Sequence, residues 1–215
     1  SAKRTSSPIQ KNVDREKISV SESIKPRWGK NAPTVSICTL THNRGNHLRL
    51  LQRCIESQDY PPEKIEWMIL DDSEDKGISY IPTTPTKISI KYQSLSRKLI
   101  LGKKRNLSHQ LCSGEYIVYM DDDDYYYPSR ISHAVSLLQT SGKQIAGSSS
   151  LLIYFCHDKQ LWISGPFGMN HATANTFAMT KEFARSNFYN NTDTINEEKF
   201  FLKNYRTHMA QLDPK

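Results

Sequence analysis

With 215 residues the chain is long enough to bury a substantial core and too short for two full-sized α/β domains, so one principal site is expected. Its 37% hydrophobic, 24% charged and 10% aromatic residues exclude an intrinsically disordered chain, and a formal net charge of +7 keeps nucleic acid and acidic membrane surfaces in view as partners. Most of that excess sits in residues 1–30, where eight Lys or Arg outnumber Asp14, Glu16 and Glu22; this reads as a basic N-terminal arm, partly flexible, to which no function is assigned.

In chain order, residues 35–40 (VSICTL) form a short β-rich run, followed by the polar turn Thr41-His42-Asn43-Arg44-Gly45 and by Leu48, Leu51 and Ile55 at helical spacing. Pro61-Pro62 ends that helix, and residues 65–70 (IEWMIL) read as a buried strand running directly into Asp71-Asp72. The unit is βαβ, which implies parallel pairing. Residues 88–92 (ISIKY) are a third strand, 102–112 a helix with Leu107 and Leu111 on one face, and 116–120 (YIVYM) a fourth strand ending in Asp121-Asp122-Asp123-Asp124. Such alternation predicts an α/β doubly wound sheet. Pro128, then Ile131, Val135 and Leu138 on one stripe, then Gly142, mark the next helix. Beyond it the pattern turns partly antiparallel: 144–156 and 160–164 make a hairpin around His157-Asp158-Lys159, 176–179 adds a strand, and a short helix starts at Lys181.

Cys38, Cys54, Cys112 and Cys156 include no C-x-x-C pair and read as reduced thiols acting as small hydrophobes. The longest apolar run, 151–156, falls far short of the ~20 residues that span a bilayer, and no signal sequence opens the chain. A soluble, cytoplasmic protein with no transmembrane segment is expected. The lack of an initiating Met, and an end at Pro214-Lys215 with no closing element, point to a domain excised from a longer protein.

In an open parallel sheet, ligands bind beyond the carboxyl ends of the strands. Three polar clusters fall there: Thr39, Thr41, His42, Asn43 and Arg44 after the first strand, Asp71-Asp72 after the second, and Asp121 to Asp124 after the fourth. Four consecutive carboxylates repel one another unless a cation or several donors hold them, and oxygen ligands with no Cys/His cluster suit Mn2+ or Mg2+ rather than zinc.

In order and spacing, 35–44 (VSICTLTHNR), 68–75 (MILDDSED), Gly102-Lys103-Lys104-Arg105-Asn106 and 114–124 (GEYIVYMDDDD) resemble the nucleotide-binding half of family 2 inverting glycosyltransferases of the GT-A fold. The resemblance is firm over 34–130 and loose over 140–205. It implies a Rossmann-like, mixed but mainly parallel central sheet flanked by helices, with a smaller antiparallel acceptor-side layer. The implied organisation is one domain over 31–215, with a nucleotide-binding half at 31–130 and an acceptor-side half at 131–215. It also implies a metal-dependent transferase moving a sugar from a nucleotide-sugar donor, with uracil the leading base, to a hydroxyl acceptor such as a glycan or glycoprotein.

The same resemblance assigns positions. Thr39, Thr41 and Arg44 would surround the base, Asp71 or Asp72 would accept from its N3–H, and Arg105, with Lys103 or Lys104 nearby, would neutralise the diphosphate. The Asp-x-Asp motif falls on Asp121-x-Asp123, with Asp121 near the ribose, Asp123 the direct metal ligand, and Asp122 and Asp124 in support. The catalytic base would come from Glu197-Glu198, where this chain has Glu for the family's Asp, and Glu198 is preferred. Two further candidates come from the residues themselves. Trp162 and His171, with Phe167 and Met169, make an aromatic acceptor floor, and His208 is an additional metal ligand or phosphate contact.

A nucleotidyltransferase would want a Gly-rich, Lys-bearing phosphate loop after the first strand, and residues 41–45 (THNRG) lack one. A non-enzymatic nucleic-acid-binding module would want a basic stripe interleaved with aromatics, whereas the charge is concentrated in the arm; no specific nucleic-acid partner is expected.

Overall fold

The computed structural model describes residues 28–29, 31–74 and 87–214. The basic arm lies almost wholly outside the described residues, as does Asp75 at the end of the MILDDSED segment.

The first βαβ unit comprises β1 (Val35–Thr41), α1 (Gly45–Glu56) and β2 (Ile65–Asp71), with the two strands parallel and Thr41 level with Asp71. Every residue of β2, and all but Leu40 of β1, is buried; this is the pattern of strands covered on both faces. β3 (Ser89–Ser94) pairs parallel with β2 at the sheet edge, and its alternating exposure reflects cover on one side only. α2 (Leu101–Leu111) returns the chain to β4 (Tyr116–Tyr119), which lies on the other side of β1.

After α3 (Arg130–Ser141), closed by Gly142 in the left-handed conformation with φ 64, the chain adds β5 (Ile145–Gly147) to the central sheet. The hairpin expected over 144–164 is therefore divided. Only β6 (Leu151–Phe155) and β7 (Gln160–Ser164) form it, as a separate antiparallel pair. β8 (Ala178–Thr180) lies antiparallel between β4 and β5, and β9 (Ala210–Gln211) runs parallel to β5. Two short helices, α4 (Lys181–Ser186) and α5 (Glu197–Phe201), complete the described elements. The central sheet has the order β3-β2-β1-β4-β8-β5-β9. A mainly parallel α/β sheet with a small antiparallel layer is what the sequence implied.

The period-two alternation of the central strands divides the core in two. Ile37, Trp67, Ile69 and Val118 pack with Leu48, Leu51 and Ile55 of α1 and with Ile131, Val135 and Leu138 of α3. Cys38, Met68, Leu70, Ile117 and Tyr119 point the other way, toward Phe183, Tyr189 and Phe201. On α2 the expected apolar residues Leu107 and Leu111 are partly buried against the core, while Gly102, Lys104, Arg105, Ser108 and His109 turn fully inward. The inward face brings two cations, Lys104 and Arg105, under the sheet.

Candidate active site

β1 starts strands on both of its sides, β2 and β3 to one and β4 to the other, so the strand order reverses between β1 and β4. A crevice opens at such a switch point beyond the carboxyl ends of the strands. Here those ends are Thr41 and the acidic run that starts at Asp121.

The loops after β1 and β2 are tied together. The Asn43 N–H donates to the Ser73 hydroxyl at 2.7 Å, with Asn43 in the left-handed region at φ 55, and His42 Nδ1 meets Asp72 Oδ1 at 3.1 Å. Asp71 and Asp72 are both buried. Asp71 Oδ1 accepts from the backbone N–H (2.8 Å) and hydroxyl of Ser73, and Asp71 Oδ2 accepts from the Tyr92 hydroxyl at 2.5 Å. Asp72 accepts from Lys104 Nζ at 2.6 Å on one oxygen and from the Leu99 N–H at 2.9 Å on the other. Burial pushes the Asp72 carboxyl up, but Lys104, the Leu99 amide and His42 outweigh it and hold it below the usual carboxylate range. Lys104 also donates to the Thr41 carbonyl at 2.6 Å, so it ties Asp72 to the first loop.

Thr39 does not line the crevice. It is fully buried; its hydroxyl donates to the Met120 carbonyl at 2.8 Å and accepts from the Trp67 indole N–H at 3.0 Å, which fastens β1 to its neighbours below the site. Thr41 donates to Asp122 Oδ2 at 2.7 Å, and Arg44 reaches from the same loop to Asp122 Oδ1 at 3.1 Å and Asp123 Oδ2 at 2.5 Å. The arginine expected at the base thus stands over the acidic run, and its hydrogen bond to Asp122 and the charges of Asp122 and Asp123 raise its pKa.

The four aspartates differ in environment. Asp122 is buried, Asp123 and Asp124 are exposed, and Asp124 accepts from Asn175 Nδ2 at 2.7 Å. The Asp121 backbone N–H donates to the Tyr126 hydroxyl at 2.7 Å. Burial lifts the Asp121 carboxyl to about 6, opposed by Arg105 and reinforced by Asp124, Asp123 and Asp122. Among the described residues no three His, Cys, Asp or Glu side chains converge as a preformed metal cage, and His208 is an exposed side chain at the far end of the chain.

Arg105 is buried rather than open to a diphosphate. Its Nε donates to Glu197 Oε1 at 2.8 Å, and its guanidinium lies 4.8 Å from the centre of the Tyr119 ring and 5.8 Å from that of Tyr189. Asp121 is the strongest of the acids that hold it charged against the cost of burial. α2 therefore sends Lys104 to Asp72 at the end of β2 and Arg105 across to α5. With Glu197 committed to that pair, the adjoining Glu198 is left half-buried, and burial and the Glu197 charge raise its pKa. Of the two candidate acceptor residues, His171 stacks on Tyr205 with ring centres 4.8 Å apart, whereas Trp162 sits on the β6–β7 hairpin against Phe155. Tyr92, Asn175 and Tyr205, whose partners Asp71, Asp124 and His171 are distant along the chain, and Tyr126, which reaches the nearby Asp121 backbone, carry no motif in the sequence, and Lys104 is expected there only as a phosphate contact.

The family described as glycosyl transferase family 2 matches residues 36–205, which takes in every element from β1 to α5. The chain belongs to glycosyl transferase family 2. This family 2 chain is 25% identical over 105 residues to the poly(ribitol-phosphate) beta-N-acetylglucosaminyltransferase TarS of Staphylococcus aureus, covering 48% of the chain and 18% of TarS. It therefore spans less than a fifth of that relative. The structure of TarS residues 1–349 in complex with UDP-GlcNAc superposes with a TM-score of 0.65 at 17% identity, over 85% of this chain and 56% of that one. The mannosyltransferase PcManGT from Pyrobaculum calidifontis, in complex with GDP-Man and Mn2+, gives 0.66 at 15% identity, over 87% and 56%. These likenesses show that the family 2 chain has the GT-A fold.

Proposed function

We propose that this chain carries the catalytic centre of an inverting glycosyltransferase, which moves a sugar from a nucleotide-diphospho-sugar to an acceptor hydroxyl. The observation that carries this reading is the gathering of Asp71-Asp72 and Asp121 to Asp124 at the carboxyl ends flanking the β1/β4 switch point, with Lys104 paired to Asp72 and the adjacent Arg105 paired to Glu197, the neighbour of Glu198. Support comes from two neighbours of the same fold whose structures hold UDP-GlcNAc and GDP-Man. These leave uracil and guanine both open as the base; Asp71 and Asp72, on the β2 end, are the acids suited to accept its ring N–H.

The acidic run fits a divalent cation by its donor chemistry. Its oxygens suit Mn2+ or Mg2+, Asp123 and Asp124 are exposed, and Asp121 is lifted to about 6 by burial, with the neighbouring aspartates adding to it against Arg105. Asp123 and Asp121 would hold the ion, which when bound supplies neutralising charge to the donor diphosphate.

The chain's own residues account for the rest. Glu198 Oε accepts the proton of the acceptor hydroxyl as that oxygen forms a bond to sugar C1. The C1–O bond to the diphosphate breaks on the opposite face, and the electron pair leaves with the nucleoside diphosphate. Burial, reinforced by the Glu197 charge, raises the Glu198 pKa and makes it a stronger base than an ordinary carboxylate. Glu198→Gln is expected to lower kcat by roughly 10²–10⁴ while leaving the affinity for nucleoside diphosphate unchanged. Full turnover by Glu198→Gln, measured by release of nucleoside diphosphate, would remove Glu198 from the role.

A further inference from the structure

Arg44 joins the first loop to the acidic run, and its two contacts there differ in kind. Its Nη1 donates to Asp122 Oδ1 at 3.1 Å and to Asp123 Oδ2 at 2.5 Å. Asp122 is buried and is held on its other oxygen by the Thr41 hydroxyl. The Asp123 side chain is 47% exposed, and among the described residues Arg44 is its one hydrogen-bond donor. Asp124 has a donor of its own in Asn175. Of these three carboxylates, Asp123 alone depends wholly on Arg44.

The backbone beneath Arg44 is fixed, while its side chain is free to turn. Asn43, at φ 55, is tied to Ser73, and the Arg44 carbonyl accepts from the His47 N–H at 2.9 Å as α1 begins. The Arg44 side chain makes no cap bond to that helix and is 49% exposed. A change of rotamer therefore releases Asp123 without moving the loop. A divalent ion the size of Mg2+ sits about 2 Å from a ligating carboxylate oxygen, which on Asp123 Oδ2 puts it within about 5 Å of Arg44 Nη1. Two positive charges facing one across that distance at one carboxylate repel strongly.

We infer that Arg44 is an internal counter-ion of the acidic run: it pairs with Asp123 until a divalent ion takes that carboxylate, and the pairing and the ion exclude one another. The inference rests on the reading of Asp123 as a ligand of the ion. Arg44 is a positioning residue in this arrangement and acts through Asp122 and Asp123. It offsets the mutual repulsion of neighbouring aspartates and holds Asp123 toward the loop after β1. Two consequences follow from the competition. The ion binds more weakly than the carboxylates alone would allow, and its arrival is felt at Arg44, in the loop that joins β1 to α1.

The test is titration of the whole protein with Mn2+ alone, without nucleotide, the free ion being measured by electron paramagnetic resonance. Arg44→Gln is expected to bind Mn2+ at least fivefold more tightly than the unsubstituted protein, and Arg44→Lys, which keeps the charge, to retain the weaker binding. In parallel, the guanidinium resonance of Arg44, assigned by its loss in Arg44→Lys, is followed by NMR in the unsubstituted protein as Mg2+ is added. It is expected to shift in step with ion occupancy, toward the position that Asp123→Asn shows without Mg2+. Equal or weaker Mn2+ binding by folded Arg44→Gln, the same tightening in Arg44→Lys, or an Arg44 resonance that saturating Mg2+ leaves in place would overturn the counter-ion while the ion site stands. No Mn2+ binding by the unsubstituted protein or by Arg44→Gln would contradict the reading of the acidic run as an ion site, and the inference with it, so the two failures are distinguishable.

Discussion

Lys104 and Arg105 are adjacent in sequence, yet each holds a different acid: Asp72 just after β2 and Glu197 at the start of α5. Both cations are buried, so neither pair is a surface contact that salt would screen. Removing one partner leaves the other as an uncompensated buried charge. Arg105→Met is therefore expected to cost about 3–5 kcal/mol of stability; a chemical-denaturation midpoint matching that of the unsubstituted protein would show the pair to be dispensable. Acid stability depends on two other buried groups. Burial and the charges of Arg105 and Lys181 depress His109 to about 3, so its neutral form is favoured in the fold. Burial opposes ionisation of Glu66, but Lys91, Ser113 and Ser36 prevail and hold it at about 2. Both folded values lie below the unfolded ones. Their stabilisation is thus present at neutral pH and is lost as pH falls, for His109 from about 6.5 toward 3 and for Glu66 from about 4.5 toward 2. Thermal melts across pH 7 to 3 should show a falling Tm that His109→Gln flattens in the upper part of that range; an unchanged slope would exclude His109 as a source.

At the scale of elements, the strands that carry the site were legible because apolar runs ending abruptly in Asp71 or Asp121 have no other simple reading. The α1 and α3 stripes were legible for the same reason: Leu48, Leu51 and Ile55, and Ile131, Val135 and Leu138, obey the helical period and are buried. α2 was legible as a helix but not in orientation. Periodicity found Leu107 and Leu111, which pack partly buried on the core, but not the fully buried Lys104 and Arg105, whose partners Asp72 and Glu197 lie 32 and 92 residues away. β5 was merged with the hairpin because a three-residue strand carries almost no periodic signal of its own. The start of α2 offers a direct check. A Cβ on Gly102 would lie 2.0 Å from the Asn190 carbonyl oxygen, so Gly102→Ala must push the 190 loop away. It is expected to lower Tm and weaken the Asn106–Tyr189 contacts that join α2 to the acceptor half, which hydrogen exchange at the Tyr189 amide would report. Unchanged protection there would mean the loop relaxes freely.

For the molecule as a whole, the parallel half of the sheet supplies the acids and the antiparallel half supplies α5 and its turn. The two are bridged by the buried Arg105–Glu197 contact and by β8, which pairs with β4 on one side and β5 on the other. The candidate site was visible in the sequence where its residues cluster at strand ends. Thr39 lay in the same cluster, but its hydroxyl points into the core, a distinction that motif order does not contain. The central claim is that the carboxyl edge of β1, β2 and β4 binds a nucleoside diphosphate with the help of a divalent ion held by the acidic run. Among the described residues no helix is long and apolar enough to cross a membrane. The most direct measurement is calorimetric titration of UDP and GDP, each with Mn2+ and with EDTA, into the protein and into Asp123→Asn. The account predicts saturable binding of at least one nucleotide with Mn2+, weakened at least tenfold by EDTA and by Asp123→Asn. Binding that is equally tight in EDTA, or no binding of either nucleotide with Mn2+, would contradict it.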